Sequence, residues 1–256
     1  RNKGELFNFI SSLEDIIYKQ PRLFKSTYSC KLASLLEYID SKEGKHELLS
    51  EETKVICWSN KNVDALNKRI RTSIFNSKDL PMFVPRDKVI FTEPVSYVDS
   101  LVGLSRSKVA NFTGSDKVKN YSANSKGTVK KVNQTMVLNI PCWELEVDIE
   151  GDRPLVYVAI DNSRLKDLQT SLKNEAFACK TRQAKEKAFR RYHFIMGLFA
   201  KVKHSYAITT HRSQGMTIPK VYVDWEDIKR CDNAVMKHKL LYVAASRARD
   251  SLHIIN

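Results

Sequence analysis

Two short runs carry the side chains best suited to gripping phosphate. Thr210-His211-Arg212-Ser213-Gln214-Gly215-Met216-Thr217 places hydroxyls, an imidazole, a guanidinium, an amide and a glycine in eight consecutive positions. About thirty residues later, Leu241-Tyr242-Val243-Ala244-Ala245-Ser246-Arg247-Ala248-Arg249 ends in two arginines. Thr209, Thr210 and Ser213 offer hydroxyl donors, and His211 and Arg212 offer ring and cationic donors, all of which bond phosphate oxygens. The planar, permanently charged fork of arginine suits it to neutralising charge that moves between phosphate oxygens. A glycine at position 215 lets backbone come close to such a ligand, because no side chain intervenes.

These runs need elements to hold them. Tyr206-Ala207-Ile208 precedes the first run and Val221-Tyr222-Val223 follows it; Leu252-His253-Ile254-Ile255 follows the second. That is the strand, loop, strand layout of an α/β domain. Arg247 falls at the end of a helix expected to start near Asn233. Upstream, Thr53 to Trp58 is apolar and β-branched, as a buried parallel strand is. Asn60 or Asn62 can cap the helix after it, which carries Val63, Leu66 and Ile70.

Leu6, Ile10, Leu13 and Ile17 predict a helix from Glu5 to about Lys19, and a second is expected from Lys31 to Asp40. The Lys42-Glu43-Gly44-Lys45 cluster reads as a loop. From about Pro85 the pattern changes to five short strands, at 89–91, 127–129, 136–138, 143–147 and 155–158, which suggests a small β-barrel. Residues 163–200 then show helical spacing, with Phe177, Phe189 and Phe194 as expected core contacts. Ser100–Lys126 is expected to be a mobile loop.

The formal net charge is +14, and it is concentrated. Residues 101–131 hold seven Lys/Arg against one acid, and residues 180–203 hold eight against one. A basic field of this kind favours polyanions, through release of condensed counterions, so nucleic acid is the expected partner. Phe112 and Tyr121, near the basic stretches, could stack on bases or pack in a core; Trp58 and Trp143 are expected to be packing residues. Five widely separated cysteines have neither zinc-ligand spacing nor a disulfide pattern, so no metal site is expected and the thiols read as reduced. No stretch has the length of a membrane span, and the expected location is the cytosol of a bacterium or an infected host.

The two runs resemble motifs V and VI of superfamily 1 helicases, and Lys54 to Asn67 resembles the strand and helix that open the second RecA-like lobe. Within that superfamily the first run is most similar to the 5′-to-3′ translocating branch, superfamily 1B, which includes RecD-like and Dda-like enzymes. The resemblance implies an α/β fold in which residues 1–84 and 204–256 form a RecA-like parallel-sheet lobe. Residues 85–203 would be an inserted small SH3-like β-barrel followed by a basic helical segment. It implies that Arg247 is an arginine finger, that Gln214 and Gly215 approach ATP, and that Arg1 reaches its terminal phosphate. Ser59, Asn60, Thr209, Thr210, His211, Arg212 and Ser213 would contact single-stranded DNA; Ser59 and Asn60 equally fit a helix cap, and Arg249 equally fits a structural ion pair.

Among the eight glycines there is no Gly-x-x-x-x-Gly-Lys-Ser/Thr loop, and no acidic pair after an apolar strand is evident that would hold magnesium. ATP and Mg2+ would therefore be held mainly by a separate amino-terminal RecA-like lobe. The expected function is the carboxy-terminal half of an ATP-dependent 5′-to-3′ DNA helicase, with no activity of its own. The alternatives are a nucleic-acid-binding module without motor activity and an RNA helicase fragment of viral type.

Overall fold

Every residue of Thr53–Cys57 is buried, so this strand needs cover on both faces and its place is inside a layered sheet. The computed structural model describes residues 26–98 and 118–256. In chain order the elements begin with β1 (Ser26–Cys30), α1 (Leu32–Asp40), α2 (Lys42–Leu49), β2 (Thr53–Cys57) and α3 (Asn60–Phe75). Next come β3 (Lys88–Phe91), β4 (Val95–Val98), β5 (Val118–Tyr121), β6 (Lys126–Val137), β7 (Ile140–Asp148) and β8 (Leu155–Ala159). The helices α4 (Asn162–Ala178) and α5 (Arg182–Gly197) lead to β9 (Val202–His204). The chain ends with β10 (Ala207–Thr209), β11 (Ile218–Asp224), α6 (Trp225–Ile228), α7 (Ala234–Ala245) and β12 (Ala248–Ile255). They fall into two compact units: the described residues up to Asp79 with His204–Asn256, and Leu80–Lys203.

The first unit is built on a five-stranded sheet in the order β1-β12-β11-β2-β10, and every neighbouring pair is parallel. Alternation along the strands splits the core in two. Val55, Cys57, Ala207, Tyr222 and Ile255 face α1, α2 and α3 and meet Leu35, Ile39, Leu48, Val63 and Ile70. Ile56, Ile208, Val221, Val223, Leu252 and Ile254 face α6 and α7 and meet Trp225, Ile228, Leu240, Leu241 and Ala244. The α/β parallel-sheet class expected from the sequence is the class observed.

Packing at the start of β2 and β11 combines aromatic and charged groups. Glu47 accepts hydrogen bonds from the Tyr38 hydroxyl, from Thr53 (2.7 Å) and from Lys220 (3.0 Å). Burial opposes its ionisation, but the bonds from Lys220, Tyr38 and Thr53 prevail and hold its carboxyl below the ordinary range. Burial and the Glu47 contact push the Tyr38 hydroxyl pKa upward, so it stays neutral. Lys220 also sits over the Tyr38 ring, 4.9 Å from its centroid. Beside it, Tyr222 stacks on His253 at 4.4 Å and His253 on Tyr28 at 5.0 Å, because parallel register sets these three side by side across β11, β12 and β1.

The second unit has a five-stranded sheet, β8-β7-β6-β3-β9, and a separate antiparallel pair, β4-β5. The segments at 127–129 and 136–138, expected as two strands, belong to one hairpin arm: β6 runs unbroken over twelve residues. Leu138 and Asn139, both at positive φ, make its turn into β7. The Ala200 N–H donates to the Tyr157 carbonyl at 2.7 Å, and Tyr157 bridges Phe199, so β8 contacts the segment that enters β9. The helices α4 and α5 cover one side through Leu172, Tyr192, Ile195 and Leu198. Phe189 and Phe194 are partly buried there as expected, whereas Phe177 is 63% exposed and not a core residue.

The cluster at Lys42–Lys45 is the first turn of α2, not a loop. Ser41 caps it, its hydroxyl accepting the Gly44 N–H at 2.9 Å. Gly44 is buried so closely under α1 that a Cβ there would lie 1.9 Å from the Tyr38 carbonyl oxygen. The expected helix at 5–19, Arg1, Phe112 and most of the 100–126 loop lie outside the described residues. Gly44→Ala should therefore lower stability by about 1–3 kcal/mol, as overpacking does. Urea unfolding would show a lower midpoint with an unchanged slope, and an unchanged midpoint would mean α2 does not pack as described.

Candidate functional site

In open parallel sheets ligands gather beyond the carboxyl ends of strands, where successive connections leave on opposite faces. Here that place lies between β2 and β11. The chain leaves β2 into α3 on one face and leaves β11 into α6 and α7 on the other. Ser59 turns the chain between β2 and α3 and is the N-cap, its hydroxyl accepting the Asn62 N–H at 3.3 Å. The cap is thus neither Asn60 nor Asn62, and Asn60 is the first, exposed residue of the helix.

The turn is fixed from across the crevice. Asp227, 1% exposed, accepts the backbone N–H groups of Trp58 (2.9 Å) and Ser59 (2.7 Å) and the Ser59 hydroxyl (2.9 Å). Asp224 accepts the Asp227 N–H at 3.0 Å and the Asn62 amide at 3.3 Å. Burial pushes the Asp224 carboxyl above the ordinary range, helped by the neighbouring Asp227 charge. The Cys57 thiol lies within 4.8 Å of both carboxylates; burial and these two charges push its pKa well up, so it is an inert neutral thiol. Asp224 and Asp227 are an acidic pair at the end of an apolar strand. Its oxygens are engaged by backbone and side-chain donors.

Thr209 ends β10, and Thr210 adjoins the end of β2: its N–H and hydroxyl both donate to the Cys57 carbonyl, at 2.8 and 3.2 Å. Ser59, Asn60, Thr209 and Thr210 therefore come from one end of two neighbouring strands. Beyond them the loop of the strand, loop, strand layout is a series of turns: Ser213 N–H reaches the Thr209 carbonyl at 3.1 Å, and Met216 N–H the Ser213 carbonyl at 3.0 Å. The Thr210 and Ser213 side chains are buried, and the Ser213 hydroxyl donates to the Thr210 carbonyl at 2.7 Å. Their hydroxyls shape the loop. His211, Gln214 and Gly215 are exposed and Arg212 is half-buried. Gly215 has a φ of +79°, with open space where a side chain would stand.

Arg247 lies at the other end of the sheet, two residues past α7 and just before β12. Its guanidinium donates to the Val243 carbonyl (3.1 Å), the Met216 carbonyl (3.4 Å) and the Ser246 hydroxyl (2.8 Å). The contact with Met216 ties the two phosphate-suited runs together. Arg247 thus pairs with neither Asp250 nor Glu226: Asp250 pairs with Arg249 at 2.9 Å, and Glu226 with Lys229 at 2.5 Å.

Residues 204–255 match the family model described as UvrD-like helicase C-terminal domain. The ATP-dependent DNA helicase dda of Enterobacteria phage T4 is 27% identical over 205 residues, which cover 77% of this chain and 46% of that protein. Residues 204–255 are thus similar to a helicase C-terminal domain. An uncharacterised protein of Acanthamoeba polyphaga mimivirus is 24% identical over 238 residues, 80% of this chain and 48% of that one. The chain thus spans about half the length of the curated relatives it matches. Solved Pif1 helicases are also similar to it. One from Bacteroides, in complex with ADP-AlF3 and single-stranded DNA, shows 14% identity, a TM-score of 0.39, and coverage of 86% of this chain and 48% of that one. That from Candida albicans shows 14% identity, a TM-score of 0.35, and coverage of 88% and 52%.

Asp227 is the residue at this site that sequence reasoning missed. Its only signal was the pair of aspartates three apart after β11, and its partners lie 168 and 169 residues away. Asp227→Ala should cost about 3 kcal/mol, since three half-buried donors lose a charged acceptor. Thermal unfolding checks this, and a change under about 0.5 kcal/mol, the scale of an ordinary surface substitution, would remove the clamp. Asp224→Asn should behave oppositely. Because its folded pKa is raised, the contribution of Asp224 is full below the unfolded value and is lost as pH rises through the folded one. The variant should gain stability relative to wild type from about pH 4 upward. Parallel pH-stability curves for the two proteins would contradict this.

Proposed function

We propose that these residues are the carboxy-terminal half of an ATP-dependent 5′-to-3′ DNA helicase. Single-stranded DNA would lie along the strand-end surface formed by Ser59, Asn60, His211 and Arg212, over Thr209, whose buried hydroxyl accepts the Arg212 N–H at 3.4 Å. Arg247 would act on ATP and Mg2+ held mainly by an amino-terminal RecA-like lobe. The observation that carries this reading is the anchoring of Arg247: three acceptors from the two motif runs hold a half-exposed guanidinium in a fixed orientation. Such an arginine needs little reorganisation to meet charge that develops on a transferring phosphoryl group. The dda relative, named an ATP-dependent DNA helicase, supports the choice of reaction.

In this reading exposed Gln214 and Gly215 bring backbone and amide near the nucleotide. Thr210 and Ser213 serve the strand path by shaping its loop, and Arg1 would reach the terminal phosphate. The second unit would be an SH3-like barrel, which the contact between Tyr157 and the Phe199–Ala200 segment supports as the start of closure. The proposed location is the cytosol; among the described residues no helix is long and apolar enough to cross a membrane.

In the two-lobed enzyme, Arg247→Ala should lower DNA-stimulated ATP turnover by about a thousandfold while leaving strand affinity within about twofold. Equal loss of both would make Arg247 a structural residue of the 216–247 contact. His211→Ala with Thr209→Ala should do the reverse, weakening strand binding in a fluorescence-anisotropy titration. Unchanged affinity would take these residues out of the strand path.

A further inference from the structure

The basic stretch at 180–203 has no part in the lobe chemistry, yet the structure gives it a defined surface. Arg182, Lys185, Glu186, Phe189, Arg190 and His193 line a shallow hollow along one face of α5. The spacing is helical, and from Arg182 to His193 the face runs about 16 Å. Glu186 is its one acid and is shared, 3.0 Å from Arg182 and 3.8 Å from Arg190, which leaves the face cationic.

Aromatic rings lie within this cationic face. Phe177, at the end of α4, is 63% exposed and meets Phe189 edge to face, with centroids 5.3 Å apart. Lys185 lies 5.3 Å from the Phe177 ring centroid, and Phe189 continues into contacts with Tyr192 and His193. An exposed phenylalanine alone is ordinary, and so is a lysine-rich helix. An exposed ring fixed by a half-buried aromatic neighbour and rimmed by net positive charge is the combination that holds a nucleobase by stacking and its phosphates by charge.

We infer that the exposed face of α5, with Phe177, is a second binding surface for single-stranded nucleic acid. It is separate from the strand-end residues of the first unit and rests on the nucleic-acid reading of the chain. Single strand is favoured over duplex because only unpaired bases offer a free face to Phe177.

The test titrates the whole chain with labelled oligothymidylate over a range of salt concentrations. The Arg182→Gln, Lys185→Gln, Arg190→Gln triple variant should flatten the slope of log affinity against log salt by about 2, three phosphate contacts at ~0.7 each. Phe177→Ala should weaken binding by about fivefold or more, while Lys185→Arg should bind as wild type. All of these positions except Phe177 lie on one helix surface, so unchanged far-UV helicity is expected and is measured alongside. Unchanged slope and affinity in both variants would overturn the inference, as would a blunt duplex that competes as well as single strand. If His211→Ala weakens binding and the α5 variants do not, only this inference fails. If the wild-type chain binds no oligonucleotide, the nucleic-acid reading fails with it.

Discussion

A single buried carboxylate holds the working end of the parallel sheet together. Taking Asp227 out of water costs several kcal/mol unless its oxygens are satisfied. Here two backbone N–H groups and one hydroxyl from the Trp58–Ser59 turn satisfy them. The bond therefore joins α6, on one face of the sheet, to the mouth of α3, on the other. Remove it and the β2 turn, the cap of α3 and the place where β10 delivers Thr210 to the Cys57 carbonyl lose their common reference. Asp224 makes the anchor rigid by accepting the Asp227 N–H.

The far end of the sheet is held by different means. Lys220, Glu47, Tyr38 and Thr53 form one hydrogen-bonded group at the starts of β2 and β11. Arg247 ties the start of β12 to the loop that precedes β11. Between the two ends runs the segment from Thr209 to Thr217, anchored by Thr210 and Ser213 and open at His211, Gln214 and Gly215. A loop fixed at both ends with exposed polar residues between them is the arrangement a binding surface requires, since side chains already in place lose little entropy on binding.

Local sequence foretold what local physics decides. β2 was legible because five consecutive buried positions favour β-branched and apolar residues, and α7 was legible from Asn233, whose side chain does cap it through the Met236 N–H. α2 was not: its charges and glycine read as a loop, because the reason for Gly44 is a carbonyl on another helix. Ser59 stood beside Asn60 and Asn62 as a cap candidate, and because all three satisfy the same preference the sequence could not choose among them. Phe177 was taken for core because hydrophobicity does not report which side of a helix finds a neighbour. The grouping of Ser59 with Thr210 followed from motif order, but the residue that holds them, Asp227, could be found only once strands distant in sequence were set side by side.

The central claim is that this lobe supplies an arginine to a nucleotide it cannot bind alone. The most direct measurement is ATP hydrolysis stimulated by single-stranded DNA, for this chain by itself and joined to an amino-terminal phosphate-binding lobe. The account predicts no turnover by the chain alone and turnover when joined. Hydrolysis by the chain alone, or none after joining while strand binding persists, would contradict it, and the latter would favour a binding module without a motor.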